Sequence, residues 1–129
     1  MSRLIVTAEA SPLFGNFLML VSVSAESDGT PLQALKPKNF TIYHLASLNH
    51  AFPTERDVTE AKEGPNGFYT LTLKPKEYQP DLPPGHYVFA VAVKTFSQGK
   101  TKGRGGSSVP KDHGQTIAVG DLPTYGQWK

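Results

Sequence analysis

His86-Tyr87-Val88-Phe89-Ala90-Val91-Ala92-Val93-Lys94-Thr95 is the stretch that decides the fold class. Tyr87, Phe89, Val91 and Val93 fall on one face of an extended segment, while Val88, Ala90 and Ala92 fall on the other. A period of two sustained over this length is the signature of a strand. The second face is small and apolar where a solvent-facing sheet would carry Lys, Glu and Thr, so it is expected to be covered.

Working outward, Pro80 to Gly85 breaks the chain ahead of this strand, and Phe68 to Leu73 precedes the break with Tyr69, Leu71 and Leu73 alternating against Thr70 and Thr72. Gly64-Pro65-Asn66-Gly67 supplies hairpin turn chemistry between that segment and Thr54 to Lys62. Thr54 to Lys62 therefore reads as a strand, with a short helix capped by Thr54 behind Pro53 as the alternative. Further upstream, Arg3 to Ala8 reads as a first strand ending in a bend at Ser11-Pro12. Asn16 to Ala25 reads as a second, with Phe17, Met19, Val21 and Val23 on one face. Ser27 to Pro31 is a turn, and Asn39 to Leu45 sets Phe40 and Ile42 against Thr41 and Tyr43. Downstream, a Gly, Ser and Lys-rich loop from Ser97 to His113 leads to a last strand, Gln115 to Val119, with Ile117 and Val119 inward.

Seven short strands with turn signals between them, 12 Gly and 11 Pro in 129 residues, and no helical period predict an all-β protein. The expected architecture is a single antiparallel β-sandwich of about seven strands over residues 1–120, followed by a tail at 121–129 that holds Tyr125 and Trp128. Its core is expected to join Val21, Phe40, Ile42, Tyr69, Leu71, Leu73, Tyr87, Phe89, Val91 and Ile117.

Several segments resemble the immunoglobulin-like modules of bacterial surface and fibronectin type III proteins. Asp28-Gly29-Thr30-Pro31-Leu32 with Leu35 and Asn39-Phe40 is similar to the start of their third strand. Gly67 to Pro75 resembles their fifth strand and Leu82 to Val91 their sixth. The resemblance implies an immunoglobulin-like sandwich in which the Tyr87 hydroxyl bonds the backbone a few residues upstream. It also implies a spacer, adhesive or docking role.

Composition and motifs exclude more than they assign. Zero Cys removes disulfide frameworks and thiolate metal sites, and a net charge of +2 is too small to argue nucleic-acid binding. No stretch approaches the roughly 18 apolar residues of a membrane helix. Leu13 to Val23 with Val23-Ser24-Ala25 imitates a signal peptide, but Glu9 and Asn16 interrupt the pattern. Gln98-Gly99-Lys100-Thr101 looks like the end of a phosphate loop, yet Lys94 stands where the leading Gly belongs and no helix pattern follows. His44, His50, His86 and His113 share no metal-ligand spacing and read as separate surface or turn residues. Glu55, Asp57, Glu60 and Glu63, interleaved with Arg56 and Lys62, read as a solvated strand or turn. No nucleophile elbow occurs, so no enzyme activity and no cofactor are expected.

Two surfaces remain. Lys100, Lys102 and Arg104 make a basic, glycine-rich loop that reads as a soluble hairpin tip, with an anion-contacting loop as the alternative. With Phe40, Phe89 and Ile117 inward, alternation puts Tyr43, Leu45, Val88, Ala90, Ala92, Thr116 and Ala118 on one outer face. That face is expected to meet a protein partner, a second copy of the chain, or the chain's own Tyr125 to Trp128 tail. The expected function is thus a non-catalytic protein-binding or scaffolding module of a larger assembly. The alternative is a carbohydrate-binding domain using Tyr43, Tyr125 or Trp128 as stacking platforms.

Overall fold

The His86 to Thr95 alternation is realised in the middle of strand β7 (Gly85–Gln98), which pairs with β8 (Ser108–Leu122) from Gly85 opposite Leu122 to Gln98 opposite Ser108. The computed structural model describes residues 2–13, 16–47, 54–75, 81–98 and 108–127. Its other strands are β1 (Ser2–Leu13), β2 (Asn16–Ala25), β3 (Phe40–Ala46), β4 (Thr54–Glu63), β5 (Phe68–Pro75), β6 (Asp81–Leu82) and β9 (Gly126–Gln127). Thr54 to Lys62 is strand, and Asn66 and Gly67 take positive φ in the turn that follows it.

Seven strands close into a barrel in the order β1-β2-β5-β4-β3-β7-β8, while β6 and β9 form a separate two-stranded ribbon. This overturns the two-sheet sandwich expected from the sequence. A sandwich leaves two seams between its sheets, and here both are zipped by pairing. β4 bonds to β3 as well as to β5, and β1 bonds to β8 as well as to β2. Closure leaves no edge among these strands to invite another chain. Within the barrel, β3, β4 and β5 run as a meander and β7 returns beside β3, which is Greek-key connectivity.

An odd number of strands cannot alternate in direction all the way round, so one neighbouring pair must run parallel. That pair is β1 with β8, aligned with Ser2 opposite Asp112 and Arg3 opposite His113. The approach is close: a Cβ at Gly114 would stand 2.4 Å from the Leu4 carbonyl oxygen. One at Gly120 would stand 2.7 Å from the Ala10 carbonyl oxygen and 2.9 Å from the Phe17 ring.

Residues pointing into the barrel form one core. Val21, Phe40, Ile42, Tyr69, Leu71, Leu73, Tyr87, Phe89 and Val91 are buried in it, as expected. Ile117 is not, and the assignment of faces on the last strand is reversed. The inward Phe89 pairs with Ala118 and the half-buried Ala90 with Ile117, so Ala118 is fully buried while Ile117 and Val119 are each 58% exposed. The inner face of β8 is Gly114, Thr116, Ala118, Gly120 and Leu122, small where β1 presses against it.

Two tyrosines fasten the crossovers of the Greek key. The Tyr69 hydroxyl donates to the Leu32 carbonyl (2.8 Å) and accepts from the Leu35 amide (3.2 Å), tying β5 to the chain between β2 and β3. The Tyr87 hydroxyl donates to the Pro83 carbonyl four residues upstream, tying β7 to the chain that enters it. Burial pushes the pKa of both phenols above the ordinary tyrosine value; at Tyr69 the Leu35 bond opposes the shift and the Glu63 charge adds to it.

Several strands run longer than expected, and β8 ends at Leu122 instead of Val119. β1 passes through Ser11-Pro12 to Leu13 because Pro12 sits next to the strand's last residue, where a missing N–H costs the ladder little. The Ser97 to His113 segment is strand at both ends, since β7 reaches Gln98 and β8 begins at Ser108.

Gly120→Ala should lower stability by roughly 2 kcal/mol through overpacking against Ala10 and Phe17, measured by urea unfolding. Phe89→Ala should cost about 3–5 kcal/mol as a large core truncation. Ile117→Ala should cost less than about 1 kcal/mol, as surface positions do.

Candidate functional site

Pairing across β3, β7 and β8 places the expected outer-face residues in rows. Tyr43 lies opposite Ala90, which lies opposite Ile117; Ala46 lies opposite Val88, which lies opposite Val119. Tyr43, Ile117 and Val119 are exposed, and Val88 and Ala90 are half-buried between them. Ala92 extends the face between Thr41 and Gln115. A depression of about 320 Å³ at one end is lined by Ala46, Ser47, Gly85, His86 and Val88. Along β7 and β8 charge gathers at the ends of this stripe, with Lys94 opposite His113 at one and His86 bonded to Asp121 at the other, and Glu55 of β4 stands opposite Tyr43 at its side.

The structure thus brings Tyr43, Val88, Ala90 and Ala92 together, and corrects the set elsewhere. Ala118 and Thr116 belong to the inner face of β8, and Ile117 and Val119 take their place. Tyr125 is exposed, and the tail takes another course than across this face. Gly126 and Gln127 pair with Leu82 and Asp81. Trp128, Lys100, Lys102, Arg104 and His50 lie outside the described residues.

Inside the barrel is a pair that the sequence reading missed. His44 and Arg56, expected on the surface, are each only 4% exposed. His44 shares the inward face of β3 with Phe40 and Ile42, and Arg56 lies opposite Ile42 on β4. An Arg56 Nη donates to His44 Nδ1 at 3.0 Å. A guanidinium has no acceptor, so this bond places the imidazole proton on Nε2. The His44 ring lies against Tyr87 and Phe89, with centroids 5.3 and 5.4 Å away. Burial pushes the Arg56 guanidinium pKa below its ordinary value. The signal was available: extending the Phe40 and Ile42 alternation by two residues reaches His44. Among the described residues no group of three or more His, Asp or Glu is placed to hold a metal, and no helix is long and apolar enough to cross a membrane.

The opposite side of the barrel carries a groove of about 610 Å³ across the outer faces of β1, β2, β5 and β4. Leu20 and Phe68 are its exposed apolar residues, and Thr7, Ser22, Thr70, Glu9 and Lys62 stand around them.

Comparison with protein-family models, with curated proteins and with solved structures finds no match in any of the three. The likeness to immunoglobulin-like modules therefore rests on the quoted segments alone.

Arg56→Ala should lower stability by about 3 kcal/mol, since it empties a buried site and strips His44 Nδ1 of its donor. Urea denaturation followed by far-ultraviolet circular dichroism checks this.

Proposed function

We propose that this chain is a non-catalytic binding module that docks a protein through the outer face of β3, β7 and β8. One observation carries the reading: Ile117 and Val119, each 58% exposed, continue the Tyr43, Val88 and Ala90 surface into a stripe without a charged side chain in its middle. A strand face that leaves two β-branched residues this open loses free energy to water, about 25 cal/mol per Å² of apolar area, and recovers it on association. An apolar middle with charged residues at the margins is the usual anatomy of a protein interface, and Tyr43 supplies an aromatic side chain on the β3 side of this one. The depression beside Val88 offers a socket for an anchoring side chain. The chain's own tail is set aside as the cover as far as Gln127, because Gly126 and Gln127 are paired with β6. The carbohydrate reading needs an aromatic face among polar side chains in a groove, and that description fits the surroundings of Phe68 rather than Tyr43.

Joint replacement Ile117→Glu and Val119→Glu tests the docking face. The variant should keep the wild-type melting temperature to within a few degrees, because both side chains are on the surface. If the face joins two copies, sedimentation velocity should show a wild-type dimer and a variant monomer. If it joins a different protein, the wild type should retain from native lysate a component that the variant releases. A monomeric wild type that retains nothing the variant lacks would sink the proposal.

A further inference from the structure

We propose that the groove around Phe68 binds a neutral oligosaccharide, with the Phe68 ring as the surface on which a sugar stacks. The floor of the site, on β2 and β5, lies across the barrel from β7, while its β1 margin borders β8 of the docking face. Its layout follows from the ladder. One row runs Thr7, Ser22, Phe68 across β1, β2 and β5, and the next runs Glu9, Leu20, Thr70, Lys62 across β1, β2, β5 and β4. Phe68 is 55% exposed and Leu20 is exposed diagonally beside it, so the floor is an apolar platform held on rigid strands. Around it stand three hydroxyls, one ammonium and the Glu9 carboxylate. The Thr7 and Ser22 hydroxyls bond each other, and whichever donates, the other keeps its proton for a ligand. Glu63 is partly committed already, its carboxylate accepting from the Ala34 amide.

This combination selects the ligand class. A sugar ring presents C–H groups on its face and hydroxyls around its rim, which match an aromatic floor ringed by mixed donors and acceptors. Lys62 is the single cation in the groove lining, which also holds the Glu9 and Glu63 carboxylates, so a phosphate or sulfate ester finds no excess of positive charge. An extended peptide that adds to a sheet needs a free strand edge, and β1, β2, β5 and β4 each have ladder neighbours on both sides. The volume of about 610 Å³ lies within the roughly 300–1,000 Å³ of small-ligand sites, and its open shape suits a chain of rings crossing the groove.

The test is titration of the ¹⁵N-labelled full chain with cellohexaose, xylohexaose, mannohexaose and chitohexaose, followed by amide shifts. At least one sugar should move the amides of Leu20, Ser22, Phe68 and Thr70. Phe68→Ala should weaken that binding roughly tenfold or more, whereas Phe68→Trp should preserve it. Tyr43→Ala, on a strand of the docking face that contributes nothing to the groove, should leave it unchanged. Phe68 is exposed, so the Phe68→Ala spectrum should otherwise match the wild type and report a folded chain. The proposal is overturned if none of the four sugars moves these amides at millimolar concentration, or if Phe68→Ala binds as tightly as the wild type.

Discussion

The close approach of β1 to β8 is the constraint on which the rest of the molecule depends. Two glycines make it: Gly114 beneath the Leu4 carbonyl and Gly120 beneath Ala10 and Phe17, each at a distance no Cβ could occupy. Once these strands meet, the ring of seven is complete and the parallel pair that an odd ring requires has a location. The rest of the β8 pattern follows. From Gly114 to Gly120 its inward positions stay small beside β1, and the bulky Ile117 and Val119 are turned outward. The exposed stripe that supports the docking proposal is in this sense a consequence of how the barrel closes.

The interior compensates for that small wall with large side chains from the facing strands. Phe17 meets Tyr87 and Phe89 with ring centroids 4.9 and 5.5 Å apart, and Phe40 meets Tyr69 at 5.4 Å. Aromatic contacts of this tilted kind contribute about 0.5–1.5 kcal/mol each beyond the area they bury. Tyr69 and Tyr87 also reach the core's margin with their hydroxyls and bond backbone carbonyls there, so one side chain both fills the barrel and fixes the chain that crosses its end. Arg56 is the charged residue in an interior whose other buried polar side chains, among the described residues, are His44 and Asn39. Its guanidinium is held by the His44 ring, which in turn lies on Tyr87 and Phe89.

Strand content was legible in the sequence because alternation is a local property, and β2, β3, β5 and β7 all display it. Closure was not, because it depends on which strands pair at a distance, and Gly114 and Gly120 read locally as loop and strand-end residues. Alternation misled on β8 for a related reason. Ile117 and Val119 look like core when judged by hydrophobicity alone, and only the neighbouring β1 backbone makes Ala118 and the glycines the inward set. Charge misled at Arg56, which sits within an acidic run and was read with it as solvated, while its position opposite Ile42 carries it inside. The groove was invisible for the same cause as closure: Thr7, Ser22 and Phe68 are neighbours only across β1, β2 and β5.

Parallel alignment of β1 and β8 also decides how the molecule would carry a mechanical load. The start of β1 lies beside Asp112 and Ala10 lies beside Gly120, so the start of β1 and the end of β8 sit at opposite poles of the barrel. At about 3.3 Å per residue they are roughly 30 Å apart along the strands. Tension applied between those two points runs along the seam, so the pairing of Ser2 and Arg3 with Asp112 and His113 and the packing at Gly114 and Gly120 are loaded in shear instead of being peeled apart. The glycine seam that lets the barrel close is also the place where such a pull would be resisted.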